Sequence, residues 1–430
     1  MGRMGPIIAI SVALRWLLPT VLPNIPFNLS TTVEVCTPIN SFKTLQEAFY
    51  YLNHGINLYD GGNIAHPPLL VMFLNIFNDL PEPLAGMTFN LIYTLVDINI
   101  AYNFIALNKW YCQHNSERTG KSLKGYDDSL IASFYLFNPL VILINLSHST
   151  LVFGLFLLSV SLVQATKYSN LVRSMMALSI SGYLSLNLNF LILPILGLYV
   201  ANTRKSWKLV CVTGIASYLI TTSILLWSSY FATSSWSFLN LCYGTVIKFD
   251  KISPNLGLWW YMFTEMFDFF TPFYLGVFNI FSVIFIAPFT VRLFEFQNKD
   301  HTLVLGDSFL AVVLSYLWLS FTKSYSTVGD LAFALSLIPI FKSTFLQYCR
   351  FIYITGLTLL VCLLLTPIFY YSWIVLGNGN SNFFYSLNLI WGAVHALTMI
   401  DQIWARVTYD YILDNNISDD KIPTLRLTQI

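Results

Sequence analysis

Three polar stretches interrupt an otherwise apolar chain, and each carries side chains able to do chemistry. The first is "GNGNSNFFY", residues 377–385. Asn378, Asn380 and Asn382 each offer an acceptor and two donors without charge. Neutral amides of this kind match sugar hydroxyls and phosphate oxygens. Glycine and asparagine also tolerate left-handed backbone, so the plainer reading is a tight turn. Phe383 and Phe384 follow at once and lead back into apolar sequence, placed to meet acyl chains.

The second stretch is "KSYSTVGD", residues 323–330. Lys323 and Asp330 flank a glycine-containing turn. An ammonium with the hydroxyls of Ser324, Tyr325, Ser326 and Thr327 beside it suits a phosphate. The alternative is a solvated turn with Lys323 snorkelling to water. The third stretch is "SPNLGLWWYMFTEMFDFF", residues 253–270. Its start, with Asn255, reads as a turn feeding a helix, and Trp259, Trp260 and Tyr261 suit a membrane interface. Glu265 and Asp268 are three apart and would share one helical face, able to move a proton or hold a cation. No histidine or cysteine stands beside them to complete a recognised site, so a polar face on an interfacial helix is the plainer reading.

Other chemistry is missing. There is no Walker motif, GxSxG, HExxH or metal-spaced His/Cys cluster. The six cysteines (36, 112, 211, 242, 349 and 362) form no CxxC pair, and the histidines are isolated, His66 before Pro67 and Pro68 being the most notable. No catalytic residue, metal or cofactor is assigned. A net charge of +1 leaves no footprint for nucleic acid.

The elements that must position these stretches are membrane helices. The chain is 56% hydrophobic and 17% aromatic, and only 10% of it is charged, against about 25% for a soluble domain. An all-α, polytopic membrane protein of one domain over 1–430 follows. Helices long enough to cross need roughly 20 apolar residues. Twelve stretches qualify, some of them short: 7–23, 84–107, 129–145, 148–165, 171–187, 189–201, 208–230, 273–294, 303–321, 327–341, 351–376 and 383–406. Residues 68–80 and 256–270 read as half-helices or interfacial helices, 24–66 as a long loop and 407–430 as a tail. The N-terminal run lacks a small-residue cleavage site and reads as an uncleaved first span.

Basic residues orient the spans. Six groups, around Lys109 to Lys124, Lys167 to Arg173, Arg204 to Lys208, Arg292 to Lys299, Lys342 to Arg350, and at Arg406, fall on one side. The positive-inside rule makes that side cytosolic, with both termini there. The three polar stretches then share the opposite face, in a eukaryotic cell the lumen of the endoplasmic reticulum. Asn28-Leu29-Ser30 is an N-glycosylation sequon on that face. Asp97 lies within a span and must face the bundle, and Asn138-Pro139 predicts a kink.

The stretches "SFKTLQEAFYYLNHGINLYDGGNIAHPPLL" (41–70), "FNPL" (137–140), 253–270, 323–330 and 377–385 resemble those of the U subunits of the glycosylphosphatidylinositol (GPI) transamidase, in their yeast-type form. The resemblance implies a non-catalytic subunit of a complex of the endoplasmic reticulum membrane. That complex joins precursor proteins, at the site of their cleaved C-terminal signal, to a GPI lipid; a caspase-like cysteine subunit does the chemistry. The U subunit would receive the lipid, with Asn378, Asn380, Asn382, Phe383, Phe384, Lys323, Tyr325, Asp330, Asn255, Trp259 and Glu265 as candidate contacts. The chain is also similar to GT-C glycosyltransferases, which implies a GT-C-like scaffold. Those enzymes use acidic residues in the first loop, where the segment "STTVEVCTPINSFKTLQEAF" offers only Glu34 and Glu47, with no paired Asp. A mannosyltransferase of GPI synthesis or a lipid transporter is the alternative reading.

Overall fold

The computed structural model describes residues 4–297 and 304–417, and these fold almost wholly into helices. In chain order the principal ones are α1 (Met4–Val21), α2 (Phe42–Asn53), α3 (Pro68–Asn78), α4 (Leu84–Thr119), α5 (Asp128–Leu136), α6 (Pro139–Leu146), α7 (Leu151–Ala165) and α8 (Leu171–Leu184). Then come α9 (Leu186–Thr203), α10 (Trp207–Thr233), α11 (Trp259–Glu265), α12 (Asp268–Arg292), α13 (Ser308–Thr322), α14 (Val328–Leu337), α15 (Ile352–Val375) and α16 (Ser381–Asp414). One short antiparallel pair, β1 (Phe296–Gln297) with β2 (Val304–Leu305), is the only strand pairing among the described residues.

Every stretch read as a span holds helix among its described residues, although 303–321 does so only from Ser308, after strand β2, and not all the helices are of spanning length. Among the described residues, seven helices are long and apolar enough to cross a membrane, or up to eight if the bent pair α5 and α6 makes one span. Helices α3, α7, α8 and α13 are shorter apolar elements. The break between α5 and α6 is 55°. Pro139 lacks a donor and its ring crowds the preceding turn, so the helix stops. Asn138 restarts it, its Oδ1 accepting from the Leu140 amide at 3.0 Å.

Apolar residues point both ways, as a membrane bundle requires. Helices α10, α12 and α15 expose Ile220, Ile224, Phe273, Ile280, Val291, Leu357 and Leu364. Helices α13 and α14 are nearly all buried and form the centre. Where α7 and α8 meet, small residues bring the backbones close: Ser181 donates to the Gly154 carbonyl at 2.8 Å, and Ser174 to that of Ser161 at 2.9 Å. The buried Asp97 finds its partner in Arg15, at 2.8 Å, with Tyr135 and Asn145 each donating to its carboxylate at 2.9 Å. Three elements thus converge on one charge that would otherwise be prohibitively desolvated.

Helix α16 ties together two polar clusters. Asn382 and Arg406 are 24 residues apart on it, about 36 Å at ~1.5 Å per residue, slightly more than the ~30 Å of a hydrocarbon core. At the second end Arg406 is fully buried, pairing with Asp410 at 2.6 Å and Asp307 at 3.3 Å and donating to the Gly306 carbonyl at 2.7 Å. Tyr111 and Arg118 of α4 reach the same segment. The stretch read as a tail, 407–430, thus begins within this helix, which runs on to Asp414, and its residues 418–430 lie outside the described residues. The stretch 24–66 is likewise no simple loop. It holds a short helix, Asn24–Leu29, and α2, which Ser41 caps by accepting from the Lys43 amide.

Candidate functional site

At the first end, the three polar stretches come together. Their shared floor is a separate aromatic cluster of Phe249, Trp259, Trp260, Phe263, Tyr325 and Phe384, all buried, with Tyr261, Tyr370, Trp373 and Tyr385 packed around it. Trp260 is central, with ring centroids 5.7 Å from Phe384, 5.8 Å from Trp373 and 6.0 Å from Tyr385. Its indole N–H is buried with no partner among the described residues.

The 253–257 turn is locked from two sides. Asn255 accepts from the Gly257 amide at 2.7 Å and donates to the Ser253 and Ser324 carbonyls. Asn388 of α16, wholly buried, donates to the carbonyls of Asn255 at 2.7 Å and Gly257 at 3.0 Å. Trp259 Nε1 donates to the Thr322 carbonyl at 2.7 Å. Asn255 and Trp259, read as ligand-facing and interfacial, are therefore internal fasteners. Buried donors must be satisfied, and these are satisfied by the fold.

The 323–330 turn is internal too. Lys323 is 5% exposed and Asp330 3%, and their charged groups meet at 2.6 Å. The other Asp330 oxygen accepts from the amide and hydroxyl of Thr327, a capping box that starts α14. Tyr325 is buried against Phe249, its hydroxyl donating to the Lys251 carbonyl at 3.0 Å. The turn is neither a solvated loop nor a free cation for a phosphate: sequestration at this depth demands that the lysine find its own counter-charge. The main chain of Glu34, from the first long loop, accepts from the Val328 amide at 2.9 Å.

Glu265 and Asp268 do not share a helical face. Helix α11 ends at Glu265, Met266 is extended, and Asp268 opens the next element; both acids are exposed. The interfacial helix read over 256–270 is thus two pieces. The acid/base reading of the pair goes with it.

What stays open is the "GNGNSNFFY" edge. Gly377 takes a left-handed φ of +65°, turning the chain after α15. Asn378, Asn380 and Asn382 are all exposed. Asn380 is the N-cap of α16, its Oδ1 accepting from the Asn382 amide at 3.0 Å. Asn382 Oδ1 accepts from the Tyr261 hydroxyl, and the Tyr261 and Tyr385 rings stack at 4.2 Å. Each of these two asparagines thus spends its oxygen on the fold and keeps its amide N–H₂ free among the described residues. Phe384 is buried in the aromatic floor, whereas Phe383 is half exposed, with its edge against Phe369.

Glu34 adds a group that the sequence reading set aside. One of its carboxylate oxygens is buried without a partner among the described residues, and Tyr370 lies close enough to feel its charge. Burial holds the carboxyl above the usual range, partly offset by a bond from its own backbone amide. Asn388 and Trp373 also escaped notice. An asparagine and a tryptophan inside apolar runs give no sign of the carbonyls or rings that they will meet.

The comparisons with known proteins agree with one another. The family model described as "GPI transamidase subunit PIG-U" matches residues 9–391. The chain is 38% identical over 420 residues to "GPI transamidase component GAB1" of Saccharomyces cerevisiae, covering 97% of each. It is 27% identical over 410 residues to human "GPI-anchor transamidase component PIGU", covering 90% of each. It is 29% identical over 422 residues to the Schizosaccharomyces pombe protein described as "GPI transamidase component GAB1 homolog", covering 97% of the chain and 96% of that relative.

Proposed function

The chain belongs to the GPI transamidase subunit PIG-U family, and from that premise we propose that it is a non-catalytic subunit of a GPI transamidase complex of the endoplasmic reticulum membrane. In this reading it binds the GPI lipid and presents it for attachment to the C-terminus of a precursor protein. A caspase-like cysteine subunit of the same complex performs the transfer. The site end of the bundle faces the lumen and both termini face the cytosol.

One observation carries the lipid reading. Asn380 and Asn382 are exposed and have their oxygens fixed by the fold, at the edge of an aromatic floor and beside the half-exposed Phe383. Fixed, neutral donors match phosphate and sugar oxygens without the desolvation cost of a buried charge. Phe383 continues the surface toward the acyl chains, Asn378 stands at its margin, and Phe384 supports it from beneath. Lys323, Asp330, Tyr325, Asn255 and Trp259 hold the floor in place.

Because Asn380 caps a helix, replacing it with an apolar residue would confuse support with binding. Asn380→Asp and Asn382→Asp keep an oxygen for the Asn382 amide and the Tyr261 hydroxyl, and replace the N–H₂ donor with a charged carboxylate oxygen that also repels a phosphate. Losing one such donor costs ~1–3 kcal/mol, so each variant should slow transfer at least roughly tenfold. Unattached GPI and uncleaved precursor should accumulate while the other subunits still co-purify. Normal transfer in both variants, with the complex intact, would overturn the assignment.

A further inference from the structure

Glu34 stands apart from the other sheltered acids of the chain. Among the described residues, Asp97, Asp307, Asp330, Asp410 and Glu295 each meet an arginine or a lysine. Asp401 accepts from the amides of Arg350 at 2.7 Å and Phe351 at 3.1 Å, and Glu47 from the Tyr51 hydroxyl at 3.0 Å. Glu34 forms no ion pair among the described residues, and its only donor there is its own backbone amide.

The main chain sets its position. The Glu34 carbonyl accepts from the Val328 amide at 2.9 Å, which ties it to the 323–330 turn at the site end of the bundle. Val33 and Ile39, on either side of it in sequence, pack against the aromatic floor. Only Oε1 of the carboxylate is sealed; the residue is half-buried, and its other oxygen stays accessible. Tyr370 stands within reach of its charge, and the Tyr370 ring lies 5.4 Å from that of Phe384, beneath the asparagine edge. An open acid and a set of aromatic rings thus share one end of the bundle with the free amides.

An acid so placed complements a cation, and one kind in particular. A hard metal ion needs several oxygen ligands, and no group of three His, Cys, Asp or Glu gathers among the described residues. An ammonium needs one carboxylate and gains from adjoining aromatic faces. Lys323 cannot serve, since Asp330 already holds it at 2.6 Å. An incoming ammonium would supply the partner whose absence makes the carboxylate costly to shelter. A lysine of a partner protein carries the same group, but the free amides and the half-exposed Phe383 at this end favour a lipid. We propose that Glu34 binds a primary ammonium of the lipid head group received at the asparagine edge, an inference that rests on the lipid reading above. The amides then meet phosphate and sugar oxygens, and Glu34 meets the positive end of the same head group.

Native mass spectrometry of the full chain in micelles compares bound dioctanoyl phosphatidylethanolamine with dioctanoyl phosphatidylethanol, which lacks only the amine. The wild-type chain should prefer the amine about tenfold. Glu34→Gln, of the same shape and uncharged, should bind the two alike. Its melting temperature should be no lower than wild type, because the change removes an unpaired charge. Asn380→Ser keeps an N-cap oxygen and loses the amide, so it should weaken both lipids and leave the preference intact. A preference that survives in Glu34→Gln overturns the proposal. So does a lower melting temperature for Glu34→Gln, which would make the carboxyl a structural group. Displacement of phosphatidylethanolamine by an equal concentration of a blocked lysine tripeptide also overturns it, assigning the acid to a protein lysine. Loss of the preference in Glu34→Gln, with both lipids bound normally by Asn380→Ser, would uphold the ammonium contact and refute the asparagine edge.

Discussion

Lys323 and Asp330 are the residues whose role changed most between sequence and structure. Residue type alone allows a lysine beside four hydroxyls to be a phosphate ligand. What decides its role is an aspartate seven positions on, brought to 2.6 Å by the turn between them. A buried pair of this kind is costly to break from one side and tolerant of joint replacement by apolar residues. Lys323→Met and Asp330→Leu should each destabilise the protein by ~3–5 kcal/mol, with the double variant recovering the part due to the stranded charge but not the capping bonds from Thr327. Thermal unfolding of the purified chain measures this. If Lys323→Met leaves stability unchanged but abolishes GPI attachment, the lysine contacts ligand after all. The asparagines could be picked out as candidates from type and spacing, although the same Asn/Gly content also makes a plain tight turn. Which atom of each was free was not legible, since the Tyr261 partner of Asn382 is 121 residues away.

At the scale of elements, the sequence reading succeeded where a signal is local and failed where it is not. The break at Asn138-Pro139 follows from proline's missing donor and appears where expected. The end of α11 at Glu265 does not, because no glycine or proline marks it; the chain turns there to start α12. The decisive fastener, Asn388, was invisible for the same reason. Asn388→Leu strands two buried carbonyls, a cost of ~1–3 kcal/mol each, and should free the 253–257 turn from α16. Trp259 and Trp260 are the reporters: tryptophan emission should shift to the red in this variant and stay put in Asn378→Ala. An unshifted spectrum in Asn388→Leu would show that the aromatic floor is held by its ring contacts alone.

For the whole molecule, composition was enough to identify an all-α membrane bundle, because 10% charge leaves no other solvent for so much apolar surface. Span number was harder to read. Apolar runs of central helices such as α13 look the same as lipid-facing ones, and only packing separates them. The central claim is that the asparagine edge receives the GPI lipid. Phe383 is the position to test it, being half exposed and lying in sequence beside Asn380 and Asn382. A photoreactive phenylalanine analogue at Phe383, in the assembled complex, should cross-link to GPI on illumination. The same analogue at Val291, exposed near the far end of α12, should not. Capture of GPI from 383 and not from 291 is the result the account predicts; equal capture from both, or none from 383 in an active complex, would contradict it.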